Sequence, residues 1–214
     1  MKSARSILSA AALVLLFLTT VGGCKGSSTT IDVEKLPCKE RRPSSAMGVK
    51  EGFINCMSPS EDVDLGGGMI CKKGASVGVY STSKTLRECW VKVPVKVDGA
   101  QCTGGVQFYP NGKLRRCQLS AAYEKNKLAL PKGSWITWSE TGDPRRLELL
   151  QPTAVGSYKC KGYMNYAWPS GKLQKCELAE PATIEGQVKK AKDVVCFEET
   201  GKLADCSKFT FGSL

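Results

Sequence analysis

No histidine occurs anywhere in the 214 residues. That absence removes the Ser-His-Asp and Cys-His arrangements of nucleophilic catalysis, and with them the commonest transition-metal ligand. Cysteine is plentiful, at eleven, but never as Cys-x-x-Cys. The closely spaced ligand pairs of a structural zinc site are therefore missing too, and neither a metal nor any other cofactor is expected. No glycine-rich phosphate loop joins a strand to a helix. Gly66-Gly67-Gly68 runs into Met69-Ile-Cys71, which reads as a strand, so the triplet is a hinge. Carboxylates are scattered, and Glu198-Glu199 falls at a hairpin tip. An enzyme is not expected, and a carboxylate-based one is the remaining catalytic alternative. The N-terminal apolar run covers only residues 7–18, short of the roughly 20 a spanning helix needs.

What the chain does contain is a hairpin, repeated. From Cys102 it reads Cys-Thr-Gly-Gly-Val-Gln-Phe-Tyr-Pro-Asn-Gly-Lys-Leu-Arg-Arg-Cys-Gln-Leu. Asn111-Gly112 between two apolar runs predicts a type I′ turn, with positive φ at both central residues. A two-residue loop there sets Phe108 opposite Arg115 and Val106 opposite Cys117. Val106, Phe108, Cys117 and Leu119 then share one face. The unit recurs at intervals of roughly thirty residues around Gly142, Gly171 and Gly201, and upstream with Lys84 in the glycine's place. A degenerate copy ends at Cys56. Four residues before each turn stands an aromatic, Tyr80, Phe108, Trp138 or Phe197, with Ala167 between Tyr166 and Trp168 in the remaining copy. Period-two placement marks these as core.

A second signature separates the hairpins: Val93-Pro-Val-Lys-Val97-Asp-Gly99, Gln151-Pro-Thr-Ala-Val155-Gly156 and Glu180-Pro-Ala-Thr-Ile184-Glu-Gly186. Proline, a β-branched residue and glycine in that order predict an edge-compatible strand ending in a turn. One β unit per roughly thirty residues makes a linear array. The pattern aromatic-x-x-x-Gly-Lys-Leu followed by Ile-x-Gly, over residues 71–206, resembles the MORN-variant repeats of bacterial envelope and secreted proteins. The resemblance implies an elongated twisted antiparallel sheet, while the cysteine content departs from the family pattern; the fold expected is all-β, a sheet of disulfide-stapled β-hairpin repeats. The resemblance implies no chemistry, and roles that are diverse, some antitoxin-like.

The first residues, Met1-Lys2-Ser3-Ala4-Arg5, precede the apolar run, as in a secretory signal peptide over residues 1–23. Val21-Gly22-Gly23-Cys24 resembles a bacterial lipobox. The resemblance implies cleavage before Cys24 and attachment of diacylglycerol and an N-acyl chain such as palmitate. These hold far more firmly than one chain, at about 0.8 kcal/mol per buried CH₂. Lys25 after the cysteine resembles the outer-membrane sorting pattern. Residues 24–37 are expected to hold the lipidated Cys24 and a tether, its flexible part being residues 25–30, and residues 38–214 the β-repeat domain.

Setting Cys24 aside leaves ten cysteines, an even number in an exported chain, which reads as a disulfide framework. Pairing within repeats joins Cys38 to Cys56, Cys71 to Cys89, Cys102 to Cys117, Cys160 to Cys176 and Cys196 to Cys206. The Gly142 copy carries Lys132 and Leu147 at both cysteine positions, so no orphan remains. Pairing across repeats is the alternative, with Cys117 reaching Cys160 and Cys38 and Cys206 left over. Cys102 is not opposite Cys117 in the two-residue register, so that bond requires a bulge.

Basic residues follow each turn: Arg87, Arg115-Arg116, Arg145-Arg146 and Lys175. Stacked hairpins would align them into rows able to meet an anionic polymer, lipid headgroups or an envelope protein. The alternative is a solvated face that keeps the sheet from associating edge to edge. Beyond the signal segment, 29 basic residues face 20 acidic ones. Export argues against nucleic acid. The expectation is an envelope lipoprotein of the outer membrane, anchored through Cys24, that binds or builds rather than catalyses. A second reading is an inhibitor presenting Pro110-Asn111-Gly112 to a protease or toxin.

Overall fold

A computed structural model describes residues 30–45 and 51–209; the signal segment and Cys24 lie outside the described residues. In chain order the strands are β1 (Glu40–Ser44), β2 (Phe53–Met57), β3 (Val63–Asp64), β4 (Ile70–Cys71), β5 (Val77–Tyr80), β6 (Leu86–Trp90), β7 (Val95–Val97), β8 (Ala100–Phe108), β9 (Leu114–Leu119), β10 (Tyr123–Lys125), β11 (Leu128–Leu130), β12 (Trp135–Trp138), β13 (Pro144–Val155), β14 (Tyr158–Ala167), β15 (Leu173–Leu178), β16 (Ala182–Ile184), β17 (Gln187–Lys189), β18 (Val194–Phe197) and β19 (Leu203–Ala204). Among the described residues no helix is long and apolar enough to cross a membrane.

Twelve strands form one antiparallel meander, β1-β2-β5-β6-β8-β9-β12-β13-β14-β15-β18-β19, and β7 pairs alongside β8. The remaining strands make three small ribbons, β3-β4, β10-β11 and β16-β17. The ribbons fold back onto one face of the sheet. Val63, Met69, Tyr123, Leu128, Leu130 and Ile184 join a single buried cluster with Val77, Val106, Ile136 and Leu147 of the sheet. Strict alternation explains which face is covered: β9 buries Leu114, Cys117 and Leu119, while Arg115, Arg116 and Gln118 stay half-buried.

The turns differ from expectation in an instructive way. At Asn111-Gly112 only Gly112 has positive φ, at 78°. Gly112 N–H donates to Tyr109 O at 2.8 Å, and Tyr109 N–H to Lys113 O at 2.8 Å. This three-residue loop with a left-handed glycine replaces the type I′ turn. The same two bonds close Ser139 to Asp143, Trp168 to Lys172 and Glu198 to Lys202. At the first hairpin the loop is one residue longer, Tyr80 N–H donating to Thr85 O, and Lys84 takes the left-handed position with φ 57°. The extra residue shifts the ladder. Phe108 pairs with Leu114, not Arg115, although Val106 does face Cys117. Tight two-residue turns occur instead in the proline signature. Asp98-Gly99 and Glu185-Gly186 both carry positive φ, and they join Val97 to Ala100 and Ile184 to Gln187.

Five disulfides join Cys38–Cys56, Cys71–Cys89, Cys102–Cys117, Cys160–Cys176 and Cys196–Cys206. Cys102 lies opposite Leu119, and the register shifts between Thr103 and Val106. Gly104-Gly105 is the bulge, with Gly104 at φ 64°, and it brings the Cα atoms of Cys102 and Cys117 to 5.7 Å. In the copy without a bond, Ile136 pairs with both Cys117 and Leu147, so leucine continues the buried row. Cys196 differs: it pairs with Lys175 and lies between the core residues Val195 and Phe197, so its bond to Cys206 sits on the opposite face.

The periodic aromatics are core, as alternation predicts. Tyr80, Phe108, Trp138 and Phe197 are all buried. Their neighbourhood also carries a hydrogen-bond ladder from hairpin to hairpin: Tyr80 Oη donates to Phe108 O at 2.9 Å, Tyr109 Oη to Trp138 O at 2.6 Å, and Trp168 Nε1 to Phe197 O at 3.1 Å. Burial pushes the Tyr80 and Tyr109 phenols above their ordinary pKa, which keeps them protonated as donors.

One boundary moves. Residues 31–37 belong to the domain, not the tether, because Ile31 and Val33 are buried in the core cluster and Ile31 N–H donates to Lys84 O at 2.7 Å. Arg41 holds this segment, donating to Val33 O, Glu34 O and Leu36 O at 3.1, 2.7 and 3.0 Å. Arg41→Ala is expected to cost about 2 kcal/mol, the order of a charge-assisted hydrogen bond. Hydrogen exchange should show the Ile31 amide losing protection first, and unchanged protection would refute the clasp.

Candidate functional site

The face that the ribbons leave open carries an unbroken register row. Glu88 pairs with Gln107, Gln107 with Arg116, Arg116 with Thr137, Thr137 with Arg146, Arg146 with Tyr166 and Tyr166 with Lys175. One pleat along, Trp90 pairs with Gly105, and Trp135 with both Gln118 and Glu148. Trp90 is 52 % exposed, whereas the aromatics of the covered face are nearly inaccessible. β6 and β12 each put an indole on the open side because Trp90 follows the buried Cys89 and Trp135 precedes the buried Ile136.

The two rings lean towards each other over the bulge. A methyl group on Gly105 would lie 3.5 Å from Trp90 Cε2 and 3.7 Å from Trp135 Cη2. Between them is a cleft of about 100 Å³ lined by Glu88, Trp90, Gly105, Gln107, Arg116 and Trp135. The bulge that closes the Cys102–Cys117 bond thus also supplies a floor without side chains.

The charges around the cleft are paired within the protein. Arg116 Nη2 donates to Glu148 Oε1 at 2.9 Å and Oε2 at 2.8 Å, and its guanidinium lies 4.5 Å from the Trp135 ring centre. Arg146 Nη2 stands 3.6 Å from the same carboxylate, and its Nε donates to Tyr163 O at 3.1 Å. Arg87 Nη1 donates to Glu88 Oε2 at 2.6 Å, and Arg87 lies 3.7 Å over the Phe53 ring. Two arginines on one nearly buried glutamate stiffen the floor and leave one net positive charge shared between them.

Compared with protein-family models, curated proteins and solved structures, the chain matches none.

The structure separates the expected basic row into two sets. Arg116, Arg146 and Lys175 stand in the open-face row. Arg87, Arg115 and Arg145 are the extra residues where the ladder shifts after each turn. Arg145 is exposed and Arg87 is buried; Arg115 lies 5.8 Å from the Tyr109 ring centre, and Lys175 Nζ 5.6 Å from that of Tyr166. The tip at Pro110-Asn111-Gly112 is braced by the neighbouring hairpin, Thr85 Oγ1 donating to Pro110 O at 2.9 Å. Cys24 is outside the described residues. Trp90, Trp135, Gly105 and Glu148 were not singled out in the sequence. The signal that finds them is parity: an aromatic one residue off the buried rhythm of its strand.

Among the described residues no cluster of acidic or cysteine side chains could hold a metal ion.

Proposed function

We propose that this protein is a lipid-anchored, non-catalytic binding module of the bacterial cell envelope, built on MORN-like hairpin repeats, which engages another envelope component through the open face of its sheet. The observation that carries the reading is the Trp90–Trp135 cleft, where large aromatic surface meets solvent beside fixed polar groups. Ten cysteines in five bonds suit an oxidising compartment. Glu88, which lines the cleft, and Glu148, which holds Arg116, are both bound by arginines, which favours recognition over acid–base work. With residues 31–37 docked, the tether shortens to residues 25–30. Six residues span at most about 20 Å, so the module would work close to its membrane.

The test uses the full chain in membranes. Mass spectrometry is expected to find a lipidated Cys24 at the N-terminus, and Cys24→Ala to release the protein from the membrane. Solubilised envelope components are expected to co-purify with the wild type and with Cys24→Ala, but not with Trp90→Ala/Trp135→Ala. An unmodified Cys24 would remove the anchor, and capture that survives loss of both tryptophans would remove the open face as the site.

A further inference from the structure

We infer that the Trp90–Trp135 cleft takes one ring of a neutral saccharide chain lying across the strands; this rests on the open face being the binding surface. Four features converge. The cleft, at about 100 Å³, is too small to engulf a metabolite, since enclosing pockets run to about 300 Å³ or more. It suits a ring pressed against a platform. Its walls are indoles, flat apolar surfaces that pack on the C–H face of a pyranose at little entropic cost. Neither indole N–H has a hydrogen-bond partner among the described residues, so both are available to hydroxyls. The floor is polar and mixed: Gln107 offers donors and an acceptor, Glu88 acceptors and Arg116 donors. Hydroxyl groups, which both donate and accept, complement such a set.

Charge selects among occupants. Arg116 and Arg146 share Glu148, and Arg87 is bound to Glu88, so a single net positive charge, spread over ion-paired guanidiniums, is all that these groups offer a polyanion. An acyl chain would take water from the remaining donors and acceptors of Glu88, Gln107 and Arg116 and return no hydrogen bond. A peptide strand has no edge to join, because β6, β8, β9 and β12 are all interior to the sheet. The site also continues across neighbouring strands, where Leu150 and Tyr163 are exposed. An extended chain could therefore be followed over several strands at about 4.8 Å each.

The experiment applies the purified full chain, in detergent, to an array of neutral and anionic oligosaccharides and to phosphatidylglycerol vesicles. Retention by one or more neutral glycans is expected, with affinity falling at least about tenfold in Trp90→Ala, as for a buried aromatic anchor. Gly105→Ala is the second variant. Its methyl group meets both rings at ordinary contact distances, so the fold is kept while the floor is raised, and affinity should fall several-fold with an unchanged melting temperature. The inference is overturned by retention of no neutral glycan, by binding confined to anionic glycans or vesicles, or by self-association that Gly105→Ala abolishes. It is also overturned if binding survives both variants. If Gly105→Ala abolishes capture of envelope material while no neutral glycan binds, the open face stands and the saccharide falls. If capture is untouched by either variant, both fall.

Discussion

Replacing Cys102 and Cys117 together by alanine is expected to lower the unfolding free energy by about 3 kcal/mol, the loop-closure entropy of a fifteen-residue loop. The bond sits at the centre of the meander, between β8 and β9, with both sulfurs fully buried. It spans the Gly104-Gly105 bulge, where two residues of β8 have no counterpart on β9. Without the bond, nothing covalent holds the strand across that gap. The Cys196–Cys206 bond closes a loop of similar entropic worth, about 2.7 kcal/mol by the same relation. Its place is different, at the last pair of strands, so its loss should fray β18 and β19 locally rather than destabilise the whole. Urea denaturation of the two double variants separates these outcomes. A loss below about 1 kcal/mol for the central pair would mean that side-chain packing alone closes the bulge.

Asn165→Ala is expected to cost about 3 kcal/mol, because three part-buried backbone groups lose their partner at once. Asn165 is completely buried. Its Nδ2 donates to Lys161 O at 3.0 Å and Gly162 O at 2.9 Å, and its Oδ1 accepts from Glu177 N–H at 3.0 Å. It lies opposite Leu147 in the row where the other hairpins place valine, isoleucine or cystine. The reason is a second irregularity, at Gly162, where φ is 82° and the pairing of β13 with β14 slips. The slip leaves two carbonyls and an amide facing inward, and a primary amide satisfies all three. Denaturation midpoints measure the cost. Hydrogen exchange at the Glu177 amide locates it, and protection unchanged from the wild type would show that the side chain is not its partner.

Parity along strands made much of this fold legible. Val106, Phe108, Cys117 and Leu119 could be assigned to one buried face from alternation alone, since successive side chains must point to opposite sides. The spacing of Gly112, Gly142, Gly171 and Gly201 marked four turns because each needs a left-handed residue, and Lys84 could be placed in the same frame. Grouping the cysteines by hairpin needed only that frame. Turn type was harder. Asn-Gly suits both a type I′ turn and a three-residue loop with a left-handed glycine, and the choice depends on how the loop and ladder settle against the next hairpin. The aromatic hydroxyl ladder, Tyr80 to Phe108 and Tyr109 to Trp138, links residues that have no local relation in sequence.

What the sequence by itself determined is what local chemistry dictates: an all-β meander, its buried face and where it must turn. The cleft was decided only by the tertiary structure. Trp90 and Trp135 are separated by two strands, and nothing local shows that both lean over Gly105. Arg116 and Arg146 read as part of a free cationic row until packing brought Glu148 between them. Charge in a sequence counts side chains one at a time, whereas the field at a surface depends on which opposite charge the fold has set beside each.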